Sequence, residues 1–192
     1  RLAPNADLIS LITKAAKSMK ITGGIRFLPL FGESGSGKSS ASRELSTHMP
    51  DVVCHELSRD EIESRDSLIE KIKLTHESEP QKLLVFVIDQ YEENVQGREK
   101  IPTQFVESLS LLDRGELRSI PAVFIWLTTS LEFRKMLVDA TSRNQRILLD
   151  KSFQIKGPEK SEWPAIIEET FSFHNSDTPL SDYGLIRGDL IE

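Results

Sequence analysis

A three-layer α/β domain, with helices on both faces of a mainly parallel sheet, is the architecture this sequence predicts. Three observations lead there. Beyond Pro50, short apolar runs of strand length alternate with charged segments of helix length. One of these runs, residues 82–88, is continuously apolar from Leu83 onward, as in a strand covered on both faces. A glycine-rich turn at residues 32–37 separates an earlier apolar run from a helix-forming stretch. Such alternation implies helices on both faces and right-handed crossovers.

Taken in order, Leu8, Leu11, Ile12, Ala15, Ala16 and Met19 recur at i, i+3 and i+4, so residues 5–19 are expected to form an amphipathic helix that ends at Thr22-Gly23-Gly24. Residues 25–31 read as a short buried strand in which Pro29 is the awkward member, because it has no N–H to give a ladder. A helix then runs to about His48, followed by a strand at 51–57 and a charged helix at 60–77. After the 82–88 strand, Pro102 marks a helix start, and that helix reaches roughly Leu112. Residues 122–127 form the next apolar strand, 132–140 a helix, and 152–155 a weaker strand. Gly157-Pro158 precedes a last helix carrying Trp163, Ile166, Ile167 and Phe171, with Trp163 expected to pack against the sheet and a partner-facing role as the alternative. The expected division is a helical lead-in at 1–24, a core at 25–157, and a last helix with the start of a helical lid at 158–192. Residues 175–178 read as a linker, and the chain reads as a piece of a longer protein.

The composition, 38% hydrophobic and 28% charged, is that of a folded globular chain. No apolar run approaches the roughly 20 residues that span a bilayer, so no membrane partner is expected. The single cysteine, Cys54, permits no disulfide within the chain and suits a reducing cytoplasm, with the nucleus also open. The net charge of −6 argues against a nucleic-acid grip spread over the whole surface.

The chemistry concentrates at Gly32-Glu33-Ser34-Gly35-Ser36-Gly37-Lys38-Ser39-Ser40. Gly32, Gly37, Lys38 and Ser39 fill every fixed position of G-x-x-x-x-G-K-[ST], a phosphate-binding loop lying between a strand and a helix as its mechanism requires. Gly32, Gly35 and Gly37 let the backbone curl so that successive N–H groups meet phosphate, and the following helix adds its positive end. Lys38 supplies a point charge for the β- and γ-phosphates, and the Ser39 hydroxyl is placed to ligate Mg²⁺.

A second acid must stand near that metal. Asp89 closes the 82–88 run, so its carboxylate emerges at the C-terminal edge of a buried strand, where open parallel sheets bind ligands. Asp89 is therefore the second candidate metal ligand. Glu92 or Glu93 is the candidate general base, with Glu92 preferred. The 122–127 strand runs into Thr128-Thr129-Ser130, where Thr128 or Thr129 could hydrogen-bond the γ-phosphate or the attacking water; capping of the next helix is the competing role. Arg143 and Arg146 are candidates to reach a neighbouring copy's γ-phosphate, against the plain alternative of solvated surface arginine.

With the loop at 32–39, the Asp89 strand and the polar strand end at Thr128-Thr129, the chain resembles the ASCE branch of P-loop NTPases, whose sheet order is 5-1-4-3-2. Within it the chain is similar to AAA+ and STAND-type ATPases over about residues 25–173. The Asp89-Gln90-Tyr91-Glu92-Glu93 segment looks most like the STAND group of signalling and bacterial defence proteins. The resemblance implies ATP with Mg²⁺, a threonine sensor at Thr128 or Thr129, self-association through this domain, and control by flanking domains. It departs from many AAA+ motors in carrying Gln90 after Asp89, which implies slow hydrolysis, and from many STAND relatives in having Leu127-Thr128-Thr129-Ser130 where an arginine is usual. The expected function is an ATP-driven switch or assembly ATPase, with a DNA-handling AAA+ motor or loader as the alternative and a nucleotide-holding module without turnover as a third reading.

Overall fold

The computed structural model describes residues 6–89, 105, 108–109, 112, 115, 117–141, 145, 152–156 and 159–174. Five parallel strands, β1 (Ile25–Phe31), β2 (Val52–Glu56), β3 (Leu83–Ile88), β4 (Ala122–Thr128) and β5 (Phe153–Gln154), lie in the order β2-β3-β4-β1-β5. This is the expected 5-1-4-3-2 order, read from the other edge. Seven helices are described: α1 (Ala6–Thr22), α2 (Lys38–Arg43), α3 (Leu45–His48), α4 (Arg59–Glu63), α5 (Arg65–Ser78), α6 (Ser130–Asp139) and α7 (Trp163–His174).

The period-2 alternation of each strand sorts its side chains into two cores. On one face Phe27, Phe86, Phe124 and Trp126 pack with Leu68 and Ile72 of α5, Phe133 and Met136 of α6, and Phe105, Leu109 and Leu112. Phe124 stacks on its cross-strand neighbour Phe86 at 5.1 Å and meets Phe105 edge-on at 5.8 Å, so aromatic contacts join β3 and β4 to Phe105. On the other face Leu28, Leu30, Val85, Val123 and Ile125 meet Leu8, Ile12, Ala16 and Met19 of α1, together with Ala41 and Leu45 beside the glycine-rich turn. With both faces covered, β3 and β4 are buried along their whole length, which is why their sequences do not alternate in polarity.

Pro29 is accommodated by the ladder's phase. Even-numbered residues around β1 turn their backbone toward β4, as in Gly32 N–H to Thr128 O (3.3 Å) and Ala122 N–H to Gly24 O (3.1 Å). Odd-numbered ones face β5, as in Ile155 N–H to Phe31 O (2.8 Å). The donor that Pro29 lacks thus falls on the β5 side, where pairing begins only at Leu30 opposite Phe153.

Three expectations about helices are corrected. The stretch read as one helix at 60–77 is two. Ser58 caps α4 in a reciprocal capping box with Glu61, and Ser64 caps α5 by accepting from the Ser67 N–H. The helix after the glycine-rich turn is interrupted at Glu44, where Thr47 N–H closes a tight three-residue bond of 3.0 Å to Glu44 O. Trp163 is 40% exposed at the start of α7 instead of packing on the sheet.

Cys54 sits on β2, its thiol donating to Ser42 O at 3.4 Å. Burial, and secondarily the Glu56 carboxylate, push the thiol from an ordinary 9.0 up to about 11. A raised thiol pKa leaves stability intact below the unfolded value and removes it as the pH climbs from about 9 through 11. At pH 8 the native chain should react with a thiol reagent far more slowly than the urea-unfolded chain, by roughly a hundredfold from thiolate fraction alone. Equal labelling rates would show that the thiol is not buried as described.

Candidate functional site

Parallel pairing carries three strand ends to one edge in the order β3-β4-β1. Phe31 pairs with Thr128 and Ile88 with Trp126, so Gly32, Thr128 and Asp89 emerge within about one residue of the same level. Asp89 and the loop flank Thr128, two strand spacings or about 10 Å apart.

The loop leaves β1 at Gly32. An added Cβ there would collide with the Ile155 carbonyl oxygen and stand 3.0 Å from Ser36 Oγ. Glycine is thus required at Gly32 by close approach of the next strand, since its φ is not in the left-handed region; the expectation that it curls the loop is corrected on this point. Curling falls to Gly35 (φ 76°) and to Gly37 (φ 85°), which is the N-cap of α2. Ser36 N–H closes a turn on Glu33 O at 3.2 Å. Lys38, the first residue of α2, folds back across the loop. Its ammonium donates to Gly32 O at 2.9 Å, Glu33 O at 2.7 Å and Ser36 Oγ at 3.3 Å. The backbone of 32–36 thereby wraps a single positive charge. Glu33, Ser34, Gly35 and Ser40 are exposed, and Ser39 is half-buried.

At the centre of the edge, Thr128 is 3% exposed, and its Oγ1 has no hydrogen-bond partner among the described residues. Thr129 differs from it: its hydroxyl accepts from Glu132 N–H at 3.2 Å and caps α6. The Asp89 carboxylate is only 11% exposed and lies 3.7 Å from the Arg43 guanidinium of α2. Arg43 also reaches Glu56 of β2 at 3.3 Å. Neither Arg43 nor Glu56 is flagged by a motif. The sequence signal that could have found Arg43 is its spacing, four residues after Ser39, which stacks the two on one helix face. Glu92, Glu93, Arg143 and Arg146 lie outside the described residues, as does the Gly157-Pro158 junction.

These residues fit a magnesium-bound nucleoside triphosphate. The glycine-built cradle encloses a cation and an unpartnered hydroxyl sits at the edge, while a nearly buried carboxylate stands two strands away. Lys38 and the loop N–H groups would hold phosphate, and Ser39 and Asp89 the metal.

No protein-family model matches the sequence, and no curated protein matches it. Among solved structures, the chain is similar to the Aeropyrum pernix ORC2 protein in its ADP form, with a TM-score of 0.57 at 8% identity over 90% of this chain and 53% of that one. Its likeness to Rhizobiales Trip13 gives a TM-score of 0.48 at 16% identity over 88% of this chain and 62% of that one. The fold shared with the ORC2 protein is a five-stranded parallel sheet with helices on both faces, in the strand order expected of a P-loop fold. The chain spans between half and two thirds of the length of these two proteins, 53% and 62%. No described helix is long and apolar enough to cross a membrane.

Gly32→Ala should destabilise the chain by about 1–3 kcal/mol, because the Ile155 carbonyl and the two-residue β5 must shift to admit the methyl group. It should also weaken triphosphate binding. Urea unfolding and fluorescent-nucleotide titration check both; a variant with unchanged midpoint and affinity would show that β5 does not buttress the loop.

Proposed function

We propose that the chain is an ATP-binding, slowly hydrolysing AAA+/STAND-like ATPase module of a larger protein, working as a nucleotide-dependent switch or oligomerisation engine. The observation that carries this reading is the buried, unpartnered Thr128 hydroxyl between the glycine-rich loop and Asp89. A buried hydroxyl without a partner is a standing cost of about 1–3 kcal/mol, and a ligand oxygen arriving at this edge would relieve it.

In this reading Lys38 exchanges its contacts with the Gly32 and Glu33 carbonyls for the β- and γ-phosphates, with the N–H groups of the loop through Ser40 around them. Ser39 and Asp89 ligate magnesium, which when bound neutralises charge on the phosphates. Glu92, or Glu93, accepts the proton of the attacking water. Thr128 reports the γ-phosphate, and Thr129 holds α6 in register beside it. Arg143 or Arg146 of a second copy supplies positive charge across a shared interface. Gln90 after Asp89 supports slow turnover, so that the ATP state persists long enough to act as a signal. Flanking domains supply the trigger and the output, in a cytoplasmic or nuclear setting.

Thr128→Val tests the carrying observation, because it keeps the side chain's shape and removes the hydroxyl. The variant should be as stable as the wild type or more so, by up to about 1 kcal/mol. It should still bind ATP but turn it over at least roughly tenfold more slowly. Unchanged turnover would remove Thr128 from the site. For the switch itself, size-exclusion profiles of the full-length protein should differ between ADP and a non-hydrolysable ATP analogue. Identical profiles would remove the switch, and DNA-stimulated turnover at low salt would assign the chain to DNA-handling motors instead.

A further inference from the structure

Arg43 ties the glycine-rich loop's own helix to the Asp89 carboxylate. It ends α2, one turn beyond Ser39, and its Nη2 lies 3.3 Å from Glu56 Oε2 and 3.7 Å from Asp89 Oδ2. The two carboxylates stand on adjacent strands. Glu56 pairs with Val87, two residues before Asp89, so both emerge at the same edge. Their surroundings differ. Asp89 is 11% exposed, Glu56 49% and Arg43 64%. A nearly buried carboxylate without a counter-charge is expensive, and Arg43 supplies that charge when no metal does. The planar guanidinium, with five donors, can serve both acids from one position.

We propose that Arg43 is a displaceable latch on Asp89. It holds the carboxylate in the metal-free chain and gives it up to a divalent cation, with Glu56 as the acceptor that retains the guanidinium once it is displaced. The proposal rests on the reading of Asp89 as a magnesium ligand. A guanidinium and a small, oxygen-seeking cation compete for the same Oδ2, so Arg43 raises the magnesium concentration at which the site fills. Its exposure keeps the latch weak enough to release, since half-solvated pairs are screened. Glu56 opposes the latch, because its closer contact, 3.3 Å against 3.7 Å, competes with Asp89 for the guanidinium. Arg43 is a positioning residue in this scheme, acting on the metal site through Asp89.

The test reads binding and not turnover. A fluorescent ATP analogue is titrated into the full chain at a series of magnesium concentrations and, as reference, in EDTA. Arg43→Gln should lower the magnesium concentration for half-maximal tightening by about two- to fivefold, the scale of a half-exposed ion pair. Glu56→Gln should raise it by a similar factor. An Arg43→Gln midpoint equal to or above that of the wild type overturns the latch. A lowered Arg43→Gln midpoint with an unmoved Glu56→Gln midpoint overturns the role of Glu56. If the wild type binds no analogue with or without magnesium, the nucleotide reading itself fails and the latch falls with it. If it binds in both and only the variants' midpoints coincide, the nucleotide reading stands and the latch alone is lost.

Discussion

At Gly32 the chain leaves β1 with its N–H on the Thr128 carbonyl and its α-carbon against the Ile155 carbonyl. β1, the loop and both neighbouring strand ends are thus coupled through one backbone position. A side chain there would push β5 away, and a shift of β4 would break the bond that aligns Thr128 with the loop. The rest of the edge follows from this wedge. Lys38 can fold over the loop because residues 32–36 are held in a closed turn, and Asp89 stands at a set distance because β4 separates it from the loop.

Lys38 is turned onto the loop's own carbonyls, and Arg43 is shared between Asp89 and Glu56. The carbonyls that hold Lys38 are groups a phosphate could replace, and under the proposal above a metal would take the place of Arg43 on Asp89. The Thr128 hydroxyl, by contrast with these two cations, has no partner among the described residues, and the Ser130 hydroxyl at the start of α6 shares that state. A site with replaceable partners binds its ligand without first paying to desolvate bare charges.

Much of this was legible in the residues. The continuous apolar run before Asp89 marked a strand covered on both faces, and the spacing of Gly32, Gly37, Lys38 and Ser39 marked the loop. The errors have local causes. The 60–77 segment mixes charged and apolar residues throughout and contains no glycine or proline, so nothing in it punctuates the break that the second capping serine, Ser64, makes. Trp163 looked like a core residue because its size is usually buried, yet it opens α7 at a half-solvated position. The reason for Gly32 was misread because the sequence shows what a glycine permits and not which neighbour crowds it.

The sequence by itself determined the loop, the acid at the end of a buried strand and the order of elements, because each depends on residues close together along the chain. Only the tertiary structure decided which strand ends share an edge with the loop. It also separated Thr128, buried and without a partner, from Thr129, committed to capping α6, and it brought Arg43 to Asp89 across 46 positions of sequence. These are consequences of packing. Two adjacent threonines differ only once the strand's alternation has a buried side, and an arginine finds a distant carboxylate only once the sheet has set the helix beside it. The loop at 32–39 was a motif before folding; its setting between β4 and β5 makes it a candidate site.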